Sequence, residues 1–494
     1  MHTIDFIVFY AYLAIVLLVG LAMYRKQHTE KDFFLAGRSL GWFPLGISIM
    51  ITMLTAFNFA AFPTEIFKHG CYILIALPIF IVVYFPISKI FIPFFQKQKK
   101  ASAYAFLEDV FDLKTRCLAS ILFMLWRLVW MAVALFASAR ILSAVTGYHL
   151  WLLILICGII TVAYTSFGGL RAVIWTDVAQ FFILLGGIII ALTLVSLTTD
   201  GGFIGIFTNA LEHNVFRPVV PYDPEFFSFD PTIRTTFWSG AIGTMVAFLA
   251  RYGADQMVIQ RYRAAKSLSE ARKSFIFNIF CVLAVLIMLV IFGLAMHSYA
   301  VHTGIMGQYS KPLKYMAVLI RSLPYGAAGL LAAALLAATM SSIDSGVNAC
   351  TMSWTKDFYH RFFNKEEFSK KHHIRYSVYF SVVIGILIIA FAELFILVFG
   401  KHQSIFMIVN KMINGFGSPL LVLIVFGMFK KRLKANSVFY GVLAGAIFSV
   451  CTAFFVEDLA LHYYAVVNLL ASIAMCYILE FVLPNKKTFH QKPD

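Results

Sequence analysis

Apolar runs of about 20 residues recur from one end of the chain to the other, each long enough as a helix to cross a hydrocarbon core of roughly 30 Å. In lipid, backbone polar groups must be satisfied within their own segment or in a closed barrel. These runs are long and continuous rather than short and alternating, which excludes a barrel. Composition agrees: with 61% hydrophobic and 13% charged residues in 494, no soluble core could hide the apolar surface. The expected fold class is all-α integral membrane.

Roughly thirteen spans are predicted, centred near residues 14, 54, 82, 132, 157, 186, 246, 287, 335, 387, 415, 445 and 470. The formal charge of +16 is distributed over alternate gaps between them. Those gaps hold Arg25, Lys26, Lys31 and Arg38; Lys97, Lys99, Lys100, Lys114 and Arg116; Arg261, Arg263, Lys266, Arg272 and Lys273; Lys356, Arg361, Lys365, Lys370, Lys371 and Arg375; and Lys430, Lys431, Arg432 and Lys434. The tail adds Lys486, Lys487 and Lys492. This is the pattern of cytoplasmic loops, placing the N terminus outside and the C terminus in the cytoplasm of a multi-pass plasma-membrane protein. It offers no basic domain for nucleic acid. The first run, near Ile7 to Tyr24, lacks a positive flank and a cleavage site, so it reads as a retained span. The seven cysteines are scattered without metal spacing and read as buried reduced thiols.

Transporters built from inverted repeats bind their cargo at interrupted helices in corresponding places of the two halves. Residues 46–65 carry Thr52, Thr55 and Asn58 mid-span, with Pro63 and Glu65 following. Residues 239–262 carry Arg251, Gly253 and Asp255. These two segments stand five spans apart, so two five-helix repeats are expected. In residues 331–350, Ala338, Ser341, Ser342 and Ser345 fall on one helical face. Serine hydroxyls with carbonyls freed on a broken neighbour suit a hard monovalent cation, although small residues and serines also simply pack helices together. Asp344 in the same run and Asp177 are intramembrane carboxylates, which mark functional sites by default or pair with a basic residue.

DFFLAGRSLGW (32–42), FGGLRAVIWTDVAQ (167–180), ADQMVIQRY (254–262) and MSSIDSGVNA (340–349), in that order, resemble the sodium:solute symporter family over nearly the whole chain. The resemblance implies a leucine-transporter-type core of inverted five-helix repeats preceded by one extra helix. The expected divisions are 1–24 for the extra helix, 40–200 and 235–428 for the repeats, 434–484 for two further helices and 485–494 for a cytoplasmic tail. It implies a sodium site built from the carbonyls of Ile51, Leu54 and Ala338 and the hydroxyls of Ser341 and Ser342. It also implies a candidate second cation site at Asp177, Asp344 and Ser345, where the extra carboxylate of Asp344 strengthens a cation site or takes a proton. Solute is expected against Thr55, Asn58, Trp130, Phe248 and Arg251. Sialic acid carriers of the family have an arginine at the position of Trp130, which argues against that substrate here. A buried guanidinium binds a carboxylate bidentately, so Arg251 is expected to hold either a solute carboxylate or an internal one, Glu65 or Asp255.

The expected function is therefore sodium-coupled import of a small anionic or zwitterionic solute by alternating access. Sodium is the co-transported ion, no organic cofactor is needed and no obligate protein partner is implied. Proton coupling on the same fold and sodium/sugar symport are the alternatives. An ATP-driven pump lacks its phosphate-binding motif, a channel its filter, and an enzyme its nucleophile or metal cluster.

Overall fold

The computed structural model describes residues 2–24, 30–98, 100, 102–218, 222–363, 370–399, 405–429, 433–456, 459–460 and 462–483. Arg25, Lys26, Lys99, Lys365, Lys430, Lys431, Arg432 and the tail 485–494 lie outside them. The helices that build the bundle are α1 (Thr3–Tyr24), α2 (Trp42–Met53), α3 (Ala56–His69), α4 (Ala76–Pro86), α5 (Leu113–Thr146), α6 (Leu150–Thr198), α7 (Phe237–Gly253), the short polar α8 (Gln256–Ala264), α9 (Leu268–His302), α10 (Ala327–Ser353), α11 (Lys370–Phe399), α12 (Ile405–Met428), α13 (Ala435–Phe455) and α14 (Tyr463–Val482). Among the described residues, eight helical runs are long and apolar enough to cross a membrane, and the bent pair α2–α3 makes a ninth. Shorter apolar stretches at Thr3–Val16, Leu150–Ser166 and Gly417–Met428 accompany them. Every expected centre but one falls inside a helix. The exception, residue 54, is a break, and α6 carries two centres across a kink at Gly169, whose φ of 57° and ψ of 175° leave the helical region.

Two breaks divide helices that the apolar pattern runs together. α2 ends at Leu54, which turns extended at φ −105° and ψ 108°, and α3 departs at 59°. α7 ends at Gly253, and Asp255 restarts the chain as the N-cap of α8, accepting the Met257 N–H at 2.9 Å. Short polar side chains compete for backbone donors in this way, which is why Asp and Asn mark helix starts.

α10 lies at the centre, buried over nearly all its length. Its alanines, serines and glycines let neighbours approach closely. A Cβ at Gly346, for example, would stand 2.2 Å from the Met131 sulfur. Asp5 at the start of α1 caps α10 from outside, its Oδ1 accepting the N–H groups of Gly326 at 2.7 Å and Gly329 at 3.0 Å. The outer face carries Ile81, Phe85, Phe182, Phe280, Ile386 and Phe481, all exposed, as lipid-facing side chains should be. All seven cysteines are free thiols; five are buried as expected, whereas Cys117 is partly exposed and Cys451 exposed.

Candidate ion and solute site

The first break sets carbonyl oxygens against the serine face of α10. In an unbroken helix the Thr55 N–H would bond the Ile51 carbonyl, four residues back. Asn58 Oδ1 accepts that N–H instead, at 3.1 Å, and lies 3.4 Å from Thr55 Oγ1. This is half of a capping box, reached from the third helical position. Ser341 Oγ donates to the Ile51 carbonyl at 3.1 Å and to Ala338 of its own helix at 2.9 Å. Ser342 Oγ donates to the Thr52 carbonyl at 2.9 Å and lies 3.4 Å from that of Ala338. Ile51, Thr52, Ala338, Ser341 and Ser342 are all fully buried. An uncharged, all-oxygen cluster of this kind fits a hard monovalent cation. Sequence reasoning named all of it except the Thr52 carbonyl, and Leu54 stands at the break itself.

The carboxylates Asp177 and Asp344 are both fully buried. Asp177 Oδ2 accepts from Ser48 Oγ, from Thr52 Oγ1 at 3.5 Å and from Arg261 at 3.2 Å. Asp344 accepts the Tyr164 hydroxyl at 2.9 Å and lies 3.3 Å from Ser345 Oγ. Ser345 Oγ in turn lies 2.9 Å from Thr52 Oγ1 and accepts from Arg261. Asp177, Asp344 and Ser345 are thus together, as expected, but with a guanidinium among them. Arg261 and Arg263 count as loop charges in the sequence pattern; they lie on α8 and are 0% and 1% exposed. Their spacing of two residues after an apolar segment gives no hint of that burial.

Trp130, Phe248 and Arg251 form a second cluster. The Arg251 guanidinium carbon is 5.9 Å from the Trp130 ring centre and 5.8 Å from that of Phe248, within cation–π range. Arg251 has no internal carboxylate among the described residues, because both expected partners are engaged elsewhere. Glu65 is paired with Arg234 through both oxygens, and Asp255 with Arg127. The Arg127 side chain is buried and lies 4.8 Å over the Trp126 ring. The indole nitrogens of Trp126 and Trp130 are buried donors without an acceptor among the described residues. Arg251 is partly exposed, unlike the fully buried Arg261. Thr55 and Asn58 bond each other across the first break.

On the side of the basic gaps, Asp357 is fully buried and accepts Arg116 Nε at 2.9 Å and Nη2 at 2.7 Å, with the hydroxyls of Ser102 and Ser120. Glu108 lies between Arg116, at 2.7 Å, and Arg361, at 2.8 Å. Partial burial works against ionisation of Glu108, but the two guanidinium groups prevail and hold its carboxyl below the usual range. A separate apolar groove of about 380 Å³ opens between α1, α6 and α10, near Tyr12, Trp175 and Gln180. Neither Arg251 nor the Ser341–Ser342 pair lines it.

Residues 33–445 match the sodium:solute symporter family. The chain is 29% identical over 471 residues to the sodium/sialic acid symporter SiaT of Proteus mirabilis (strain HI4320), covering 94% of this chain and 92% of that one. It is 28% identical over 342 residues to the sodium-coupled monocarboxylate transporter 2 of Homo sapiens, covering 68% and 54%. Among solved structures it resembles the substrate-bound outward-open state of a sodium-coupled sialic acid symporter, with a TM-score of 0.86, 27% identity and 98% of each chain covered.

Proposed function

The chain belongs to the sodium:solute symporter family, so it is a sodium-coupled membrane transporter of a small organic solute, and we propose that this solute carries a carboxylate held by Arg251. The observation that carries the proposal is the position of Arg251 beside the Trp130 and Phe248 rings, with the two carboxylates expected to pair with it, Asp255 and Glu65, already engaged by Arg127 and Arg234. A guanidinium set among the aromatic rings of Trp130 and Phe248 calls for an anionic partner, and a carboxylate accepts two parallel N–H bonds from it. The unpartnered Trp130 indole N–H, on the ring beside Arg251, supplies a further donor. The names of the sialic acid and monocarboxylate relatives agree with an anionic solute.

Sodium, the co-transported ion, is assigned to the junction of the first break with α10. The carbonyls of Ile51 and Ala338 and the hydroxyls of Ser341 and Ser342 hold it, with the Thr52 carbonyl at the same junction and that of Leu54 completing the set the resemblance implies. An ion there draws α10 onto the broken helix and favours the arrangement that binds solute. By thermodynamic linkage, bound solute then tightens sodium by the same factor. Spans 40–200 and 235–428 act as the two repeats that rock against each other. The N terminus faces outward: Lys266, Arg272 and Lys273 still mark the cytoplasmic gap after Arg261 and Arg263 are set aside as buried.

Uptake into proteoliposomes under an inward sodium gradient tests the reading, with short monocarboxylates and sialic acid as labelled probes. Arg251→Gln is expected to weaken the transported solute by about 10- to 100-fold, from the loss of a charge-assisted bond of about 1.5–3 kcal/mol. Unaltered solute affinity in that variant would sink the proposal.

A further inference from the structure

A broken helix strands backbone donors and acceptors on both sides of the break, and burial makes each one costly until it is paired. At the second break, a continuous helix would bond the Gln256 N–H to the Tyr252 carbonyl and the Val258 N–H to the Ala254 carbonyl. Instead Val258 donates to the Asp255 carbonyl at 3.2 Å, and the Tyr252 carbonyl accepts the Tyr262 hydroxyl at 3.3 Å. The two groups left over meet on one atom. Tyr104 Oη donates to the Ala254 carbonyl at 3.0 Å and accepts the Gln256 N–H at 3.3 Å. A hydroxyl has the one proton and the spare lone pair that this requires. Tyr104 belongs to neither half of the broken helix. It is fully buried in the segment that enters α5 from the side of the basic gaps, with its ring 5.8 Å from that of Phe123 on α5. Ser102 fastens the segment to Asp357, the carboxylate held by Arg116 of α5: its Oγ donates to Asp357 at 2.7 Å and accepts the Tyr104 N–H at 3.1 Å. The Ala103 N–H reaches across to Gln256 Oε1 at 2.8 Å.

We infer that Tyr104 is a positioning residue for transport: its hydroxyl pins the second break to α5 and Asp357, and the path from Arg251 to the side of the basic gaps stays shut until that pin lets go. The inference rests on the reading of Arg251 as the anchor of the solute. Arg251 precedes Ala254 by less than one helical turn, so the hydroxyl that closes the path also fixes the stretch of chain that presents the guanidinium. Opening on that side draws α8 away from residues 102–104 and strands the Ala254 carbonyl and the Gln256 N–H again. The two bonds therefore favour the closed arrangement, and removing them shifts the population toward the open one.

Tyr104→Phe keeps the ring against Phe123 and removes only the hydroxyl. Two native thiols report its effect in the purified full-length protein, in sodium and with no solute present. Cys350 lies on α10 between Asn348 and Met352, which bond Gln260 and Gln256 of α8, and is 1% exposed; Cys157, on α6, is 1% exposed as well. The probe is a water-soluble maleimide, with each thiol followed separately by peptide mass spectrometry. Labelling of Cys350 is expected to be about tenfold faster in Tyr104→Phe, the factor that about 1.4 kcal/mol supplies, with Cys157 unchanged. Gln256→Leu cuts the tie at Ala103 and leaves the hydroxyl in place. It is expected to speed Cys350 by a smaller factor, and it carries the test if Tyr104→Phe does not fold. A Cys350 rate no faster than the wild type's in a folded variant overturns the inference. Equal acceleration at both thiols does so too, because a side chain that only stabilises the fold would loosen it everywhere when changed. Because the assay contains no solute, these outcomes leave the Arg251 proposal standing or falling on its own test.

Discussion

Asn58 takes the backbone N–H of Thr55 at 3.1 Å, and the Ile51 carbonyl, which that N–H would otherwise occupy, is bonded across the bundle by Ser341. One amide side chain thereby leaves the buried Ile51 carbonyl, which also takes the Leu54 N–H at 3.3 Å, free of the Thr55 N–H and turned toward the serine face of α10. Asn58 is then a positioning residue for the ion as well as a neighbour of the solute.

Asn58→Ala should let the Thr55 N–H return to the Ile51 carbonyl and compete with sodium there. Loss of a cap of this type costs about 1 kcal/mol, hence about a fivefold weaker sodium affinity. Asn58→Asp keeps the acceptor and should lose less. Sodium-dependent thermal stabilisation measures both, and an unchanged sodium midpoint in Asn58→Ala would refute the role.

Arg127 and Asp255 close on each other inside the bundle, with their side chains 2% and 0% exposed. Asp255→Ala strands a guanidinium, and breaking a buried pair from one side costs about 3–5 kcal/mol. Arg127→Leu with Asp255→Leu should recover much of that. The deficit that remains, about 1 kcal/mol, is the lost cap on the Met257 N–H. Thermal unfolding of the detergent-solubilised variants separates the two, and a double variant as unstable as Asp255→Ala would contradict the pairing.

Asp5 should stabilise α10 through two accepted N–H groups and through the favourable field of a carboxylate at a helix N terminus. Asp5→Ala is expected to cost about 1–2 kcal/mol, and Asn at this position, which retains an acceptor but no charge, about half as much. The melting temperature of each variant is the readout.

Glu108 carries the pH dependence of the Arg116–Arg361 cluster. Its folded carboxyl lies below the unfolded value of about 4.3, so its contribution is fully present above that pH and is lost as acid carries the solution through the folded value. Glu108→Gln should lower the melting temperature near neutrality and flatten its fall below about pH 4.3. A fall as steep as the wild type's would show that other carboxylates carry it.

Much of this could be read from the chain before its fold was known. Thr52, Thr55 and Asn58 mid-span located the first break, and Gly253 with Asp255 the second, because polar and conformationally free residues in a lipid-length run are tolerated only where the helix is interrupted. The spacing of Ala338, Ser341, Ser342 and Ser345 identified the face that meets it. What could not be read was pairing. Asp255 meets Arg127, Glu65 meets Arg234 and Asp177 meets Arg261 over separations set by tertiary packing alone, and no local pattern distinguishes a buried arginine from one in a loop. Arg261 shows this most clearly: composition assigns it to the cytoplasmic surface, whereas the fold places it beside the ion site.

The contact between Asp5 and Gly326 spans 321 residues of sequence. At a synthesis rate of about 5–20 residues per second, the segment that α1 caps emerges from the ribosome roughly 15–60 s after α1 itself. Throughout that interval the first helix resides in the bilayer without the partner it is shaped to receive. Its carboxylate acts as a docking point laid down in advance, on which the most buried helix of the transporter is later seated. Chains stalled before Gly326 never receive that helix, and they would present the cell's quality-control proteases with a first span whose capping group has nothing to cap.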